Sequence, residues 1–250
     1  GSGQKQSCGC GLPANILSVG MPPDPWQAML LRSTSVNRAL LLCSRQSGKS
    51  QVASALALRV AMLEPPALVL LLSPTLRQSG ELFRDKVLKL YNQLGRPVPT
   101  KQESALQISF ENGSRIISLP GDEQTIRGYS GVSLLVIDEA ARVDDSLYRS
   151  VRPMLAVSRG SLVCLTTPWG KQGWFYDEWI SDGNWQRIKV SAYDCPRISK
   201  EFLAEEKAAL GERWYRQEYE ISFESTIDAV FSQVDIDAAL SSAIKPLWIG

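Results

Sequence analysis

Apolar residues are not spread evenly along this chain. They gather in the runs Ala39-Leu40-Leu41-Leu42, Ala67-Leu68-Val69-Leu70-Leu71-Leu72, Leu134-Leu135-Val136-Ile137 and Leu162-Val163-Cys164-Leu165. Continuous runs of this length, without alternation, are what strands covered on both faces require, which points to a parallel sheet. Between them, residues 51–63, 76–94 and 145–157 carry helical spacing, the last entered through Asp144-Asp145 as an N-cap. Pro22-Pro23-Asp24-Pro25 is a rigid lead-in to a short helix beginning Pro25-Trp26-Gln27 and capped by Asp24.

Residues 105–110 and 115–119 alternate apolar with polar positions about Asn112-Gly113, the pattern of a hairpin, and are expected to form an antiparallel insertion. Residues 185–190 offer one more strand. From about residue 199 the texture becomes Glu- and Lys-rich and helical, with Trp214, Tyr215 and Tyr219, and is expected to form a small helical subdomain. Tyr215 and Tyr219 stand four apart, so they read as core residues of a helix before they read as a base-stacking pair. Strands alternating with helices predict an α/β fold, a mostly parallel sheet flanked by helices, with ligands at the carboxyl ends of the strands.

The strand at 39–42 runs into Cys43-Ser44-Arg45-Gln46-Ser47-Gly48-Lys49-Ser50, and a helix follows. Strand, tight loop and helix N-terminus in that order make a phosphate cradle: backbone N–H groups point inward and the helix dipole favours the anion. Lys49 is placed to reach the β/γ-phosphates, and the Ser50 hydroxyl to ligate Mg²⁺. Cys43 stands where the usual pattern has its first glycine, and reads as tolerated variation at the end of a strand. A nucleoside triphosphate is the expected ligand.

Composition narrows this little. Lys and Arg number 27 against 26 Asp and Glu, a net charge of +1, so no global basic field announces nucleic acid. The 5 cysteines, at 8, 10, 43, 164 and 195, are an odd set with two in or at the end of apolar strands, and suggest a reduced, intracellular protein. Cys8 and Cys10 have no second pair and the chain has 0 histidines, which argues against structural zinc and histidine catalysis. No stretch has the length of a membrane span and no signal pattern opens the chain. Gly1-Ser2-Gly3 resembles an expression scar, and Pro246-Leu247-Trp248-Ile249-Gly250 reads like a strand just beginning, so a piece cut from a longer chain is expected.

The run 134–137 delivers Asp138-Glu139 to a strand's carboxyl end. Asp138 is placed to hold Mg²⁺ and Glu139 to polarise the water that attacks the γ-phosphate. Hydrolysis needs such a water-positioning group beside the metal ligand, whereas a small-molecule kinase needs an acceptor pocket, so hydrolysis is favoured.

These residues together resemble the ATPase domain of the large terminase subunit, the DNA-packaging motor of tailed bacteriophages. The likeness spans most of the chain. It rests on 44–50 with its internal Arg45-Gln46 pair, Trp26-Gln27 upstream, Thr125-Ile126-Arg127-Gly128-Tyr129 ahead of Ile137-Asp138-Glu139-Ala140, and Leu165-Thr166-Thr167-Pro168 after it. The resemblance implies a P-loop NTPase of the additional-strand, catalytic-glutamate class, with an ATPase core at 1–195 (1–20 flexible or packed on the lid) and a helical lid and linker at 196–245. It implies ATP and Mg²⁺ as cofactors, with Ser44, Arg45, Gln46, Ser47, Gly48, Lys49 and Ser50 around the phosphates and Ser50 and Asp138 on the metal.

It further implies that Gln27 reads adenine, that Thr166 and Thr167 couple γ-phosphate loss to motion, and that Arg127 is an arginine finger acting in trans. Arg45 is expected to contact either phosphate or the adjoining subdomain. Each has a plainer alternative: Gln27 capping its own helix, Arg127 an ordinary surface arginine, Thr166-Thr167-Pro168 a strand exit. The implied partners are double-stranded DNA, a portal or procapsid, a small terminase subunit and further copies of the chain in a ring, the isolated domain being monomeric, all in the host cytoplasm. Ala229-Val230-Phe231 resembles the link to a nuclease domain that the chain lacks, so no nuclease activity is expected. DNA-contact candidates are Arg142, Arg149, Arg152, Arg159 and Lys171, although spread charges are ordinarily a solvated face. Two other classes fit the same motifs, a superfamily-2-like helicase fragment and a nucleotide-switch assembly module.

Overall fold

The computed structural model describes residues 22–33, 37–122 and 126–224. The expectations for Cys8 and Cys10, for Thr125, for 229–231 and for both chain ends lie outside these residues.

A sheet of 8 strands runs in the order β3-β4-β5-β2-β6-β7-β1-β8. The four apolar runs become β1 (Arg38–Cys43), β2 (Leu68–Ser73), β6 (Val132–Asp138) and β7 (Ser161–Thr166), adjacent and parallel, with β8 (Gln186–Val190) parallel to β1 at one edge. Because side chains alternate across a strand, Leu41, Val69, Leu71 and Val136 face one core, and Leu40, Leu42, Leu70 and Leu135 face another. Each fully buried leucine contributes about 2 kcal/mol, so the apolar runs dominate what holds the sheet.

The first core is roofed by α1 (Pro25–Arg32), α2 (Lys49–Leu63) and a continuous helical rod. That rod consists of α3 (Leu76–Glu81), a π-helical stretch (Leu82–Leu88) and α4 (Lys89–Gln93). The second core is covered by α5 (Asp145–Ser158) and α6 (Gly173–Ile180), through Val151, Leu155, Trp174 and Phe175. α7 (Lys200–Leu210) and α8 (Glu212–Glu218) enclose a separate small core of Ala192, Leu203, Tyr215 and Tyr219. The two tyrosines are buried there, Tyr219 donating to Glu206 Oε2 at 2.7 Å. Their burial leaves no face for a base.

The hairpin about Asn112-Gly113 forms, but not as an insertion. β4 (Gln107–Phe110) pairs antiparallel with β5 (Arg115–Pro120), and β5 itself lies parallel to β2. The hairpin therefore extends the main sheet, ending in the exposed β3 (Thr100–Glu103). β7 sits between β1 and β6, the additional strand that the resemblance implies. No helix among the described residues is long and apolar enough to cross a membrane.

Candidate functional site

Since β1, β6 and β7 are parallel neighbours, their carboxyl ends bring the loop at 44–48, the acid pair and Thr166-Thr167 together. Cys43 is the last residue of β1, buried and paired with Val190 of β8. It adopts ordinary strand geometry, so no glycine is required there, and burial pushes its thiol up to about 12, leaving it neutral. The turn that needs left-handed backbone comes later, at Gln46 (φ 59°) and Gly48 (φ 90°). At Gly48 a Cβ would also lie 2.6 Å from Gln27 Nε2, so both conformation and space demand glycine.

The loop is clamped on two sides. Ser44 N–H donates to Val190 O at 2.8 Å, and Arg45 N–H donates to Glu218 O at 2.8 Å, on α8. The Arg45 guanidinium lies 3.8 Å from Glu218 Oε2, so of its two expected contacts the one to the helical subdomain is formed. Ser47 Oγ donates to Ser44 O at 2.8 Å, closing the turn from within.

Ser50 Oγ donates to Asp138 Oδ2 at 3.0 Å across 88 positions of sequence. Asp138 is 7% exposed. Burial, and then the charge of Glu139, push its carboxyl up to about 6, while Lys49 and the Ser50 hydroxyl act in the other direction. A buried carboxylate held beside a hydroxyl is a hard-oxygen pair, and it fits Mg²⁺, which takes few protein ligands and shares the rest with phosphate and water.

Glu139 follows with φ 51°, a left-handed conformation costly for a side chain of its size. Its Oε1 lies 3.8 Å from Lys49 Nζ and its Oε2 3.8 Å from Arg142 Nε. Oε2 is buried and accepts no hydrogen bond. A carboxylate oxygen so placed is an unpartnered acceptor beside the loop. Lys49 Nζ also donates to Ser44 O at 3.4 Å, which holds it over the loop. Thr166 Oγ1 accepts from Ala141 N–H at 3.2 Å and donates to Thr167 O at 2.8 Å, tying the end of β7 to the turn behind Glu139. Alongside, Ser50, Ser73, Gln78, Glu81, Asp138 and Glu139 line a cavity of 330 Å³.

Gln27 is buried against the loop. Its Oε1 accepts from Asp24 N–H at 3.0 Å and its Nε2 donates to Gly48 O at 3.3 Å. The capping alternative is thus realised, with one N–H and one lone pair of the Gln27 amide left over. Arg127 is exposed and lines a separate cavity with Ser146, Arg149 and Ser150, apart from the loop and the acid pair.

Two arginines beside the site carry no motif signal. Arg197 donates to Asp24 Oδ2 at 2.6 Å and to Ser47 O at 3.2 Å, bridging the entry of α1 to the loop. Arg142, a candidate DNA contact, lies beside Glu139, with its guanidinium 3.9 Å over the Trp169 ring. Only its position three residues after Glu139 hinted at this.

Solved structures similar to this one include large terminases. The large terminase ATPase domain of Thermus phage P74-26 matches with a TM-score of 0.70 at 21% identity, over 82% of this chain and 95% of that one. The large terminase of another thermophilic bacteriophage, in complex with ATP-gamma-S, gives 0.66 at 16% identity, over 81% and 53%. In sequence, the terminase large subunit of Thermus phage G20c is 24% identical over 255 residues, covering 87% of this chain and 52% of the relative. That of Escherichia phage T5 is 26% identical over 236 residues, covering 88% and 53%. The chain thus spans about half the length of the relatives that it matches. A family profile described as "Terminase large subunit, T4likevirus-type, N-terminal" matches residues 40–237, most of the chain, and the chain belongs to that family.

Proposed function

We propose that this chain is the Mg²⁺-dependent, ATP-hydrolysing motor portion of a phage packaging terminase, driving double-stranded DNA into a procapsid. The observation that carries this is the bond from Ser50 to Asp138, with Lys49 and Glu139 facing each other beside it. A phosphate loop and an acid pair remote in sequence converge on one point. Ser50 and Asp138 would hold Mg²⁺, which when bound neutralises charge on the phosphate oxygens.

Lys49 has two alternative partners in this reading. It contacts Ser44 O and Glu139; a triphosphate would draw it to the phosphates and leave Glu139 to orient the attacking water. Gln27 would meet adenine through the N–H and lone pair that Asp24 and Gly48 leave unused. Thr166, bonded to the backbone behind Glu139, is placed to pass on the state of that glutamate, with Thr167 beside it. Arg127, outside its own subunit's site, serves as a finger for the next subunit in a ring on the portal. The small terminase subunit and procapsid are its further partners, in the host cytoplasm.

The test is Glu139→Gln, which keeps size and hydrogen-bonding reach but removes the base. Binding of a fluorescent ATP analogue should persist while phosphate release falls about a hundredfold or more. Hydrolysis at the parent rate would overturn the mechanism.

A further inference from the structure

At the opposite edge of the sheet, where β1 and β7 begin, lies a cavity of 420 Å³ lined by Arg38, Arg152 and Arg159, with Asn37 and Tyr148. The three arginines come from three places. Arg38 opens β1, Arg152 stands on the outer face of α5, and Arg159 caps α5 with φ 55°. The turn after it is pinned, because a Cβ at Gly160 would lie 2.1 Å from Val132 O.

This is more than a solvated basic face. The Arg38 guanidinium sits 6.0 Å over the Trp185 ring, and that of Arg152 5.7 Å over the Tyr148 ring. Both rings are fixed by one carboxylate: Glu178 Oε1 accepts from Tyr148 Oη at 2.7 Å and Oε2 from Trp185 Nε1 at 2.8 Å. Glu178 thereby holds the two platforms on which the arginines rest. Among the described residues, no carboxylate forms an ion pair with Arg38, Arg152 or Arg159. Three cations about one cavity repel one another, a cost that an anion would relieve.

The guanidinium fork matches phosphate oxygens, which identifies the chemistry of that anion. Tyr148 and Trp185 are only 5% and 8% exposed, so neither ring is open to stack a base. Single-stranded nucleic acid, which leans on aromatic stacking, is therefore a poor fit, while a duplex keeps its bases stacked inside and can be held by its phosphates without an aromatic platform. We propose that Arg38, Arg152 and Arg159 form a grip for the phosphodiester backbone of double-stranded DNA, an assignment that rests on the packaging reading for its choice of polyanion.

The measurement is anisotropy of labelled duplexes of unrelated sequence, titrated with this chain across a range of salt. Replacing Arg38, Arg152 and Arg159 together by Gln should weaken binding about tenfold or more at moderate salt and reduce the slope of log K against log salt by about 2 to 3. A comparison triple, Arg84, Lys89 and Lys101 to Gln, removes equal charge elsewhere and should keep the parent slope. ATP hydrolysis without DNA should be unchanged in both. If the parent binds duplex and the arginine triple binds equally well with the same slope, the grip is wrong and the packaging reading stands. If the parent itself fails to bind duplex, both fall. Competition by pyrophosphate that is lost in the arginine triple, with duplex binding retained, would reassign the cavity to a small polyphosphate. Should the triple melt early, Arg152→Gln alone carries the test, with a slope lower by about 1.

Discussion

The two edges of one sheet handle charge in opposite ways. At the carboxyl edge the groups of the site face partners: Lys49 with Glu139, Arg142 with Glu139, Ser50 with Asp138, Arg197 with Asp24. At the amino edge, Arg38 and Arg152 rest on aromatic rings, and among the described residues no carboxylate forms an ion pair with them or with Arg159. The compensated edge is a site in which each group fixes the next, so single changes there propagate. The uncompensated edge is a surface whose members act nearly independently, and its contribution should sum over residues and fade with salt.

Lys49→Ala offers the largest test of this difference. It removes a phosphate ligand and leaves Glu139 without its nearest cation, and ATP hydrolysis should fall about a hundredfold or more, with triphosphate binding lost as well. Retained hydrolysis, followed by phosphate release, would dissolve the compensated edge as described.

Asp138→Asn probes the same edge through stability. The folded carboxyl titrates at about 6 against an ordinary 3.8, so the folded state holds its proton longer than the unfolded chain. Its contribution is full below the unfolded value and is lost as pH rises through about 6. In metal-free protein at neutral pH, Asp138→Asn should therefore be the more stable of the two, by at most about 3 kcal/mol, with the gap closing toward pH 4. Chemical denaturation across pH reads this directly, and a gap of opposite sign would contradict it.

Gly48→Ala should cost about 2 kcal/mol in the same assay, from the φ of 90° and the encounter with Gln27. The smallest effect belongs to the other edge: Arg152→Ala should change stability by less than about 0.5 kcal/mol. A loss comparable to that of Gly48→Ala would mean that the arginine face is structural.

The sheet's centre could be read from the chain because strands buried on both faces have no polar positions to obscure them. β3, Thr-Lys-Gln-Glu, could not, since an exposed edge strand carries no apolar signature. Nor could the π-helical stretch, whose residues keep helical spacing. The hairpin was visible while its place in the sheet was not, because Asn112-Gly113 specifies the turn and says nothing of which strand β5 will lie beside. In the site, the contiguous groups at 43–50 and 138–139 were legible as chemistry. Arg197 and Glu218 were not, because each meets the loop only through folding. Arg142 is visible in the sequence as a basic residue, and its place three positions after Glu139 is what anticipates their contact.

The bond from Arg45 N–H to Glu218 O joins the phosphate loop to α8 through main-chain atoms alone. A link of that kind has no codon of its own. The side chains around it can drift across generations while the mechanical connection between loop and subdomain is inherited intact, and at position 45 proline is the one residue that would delete its donor.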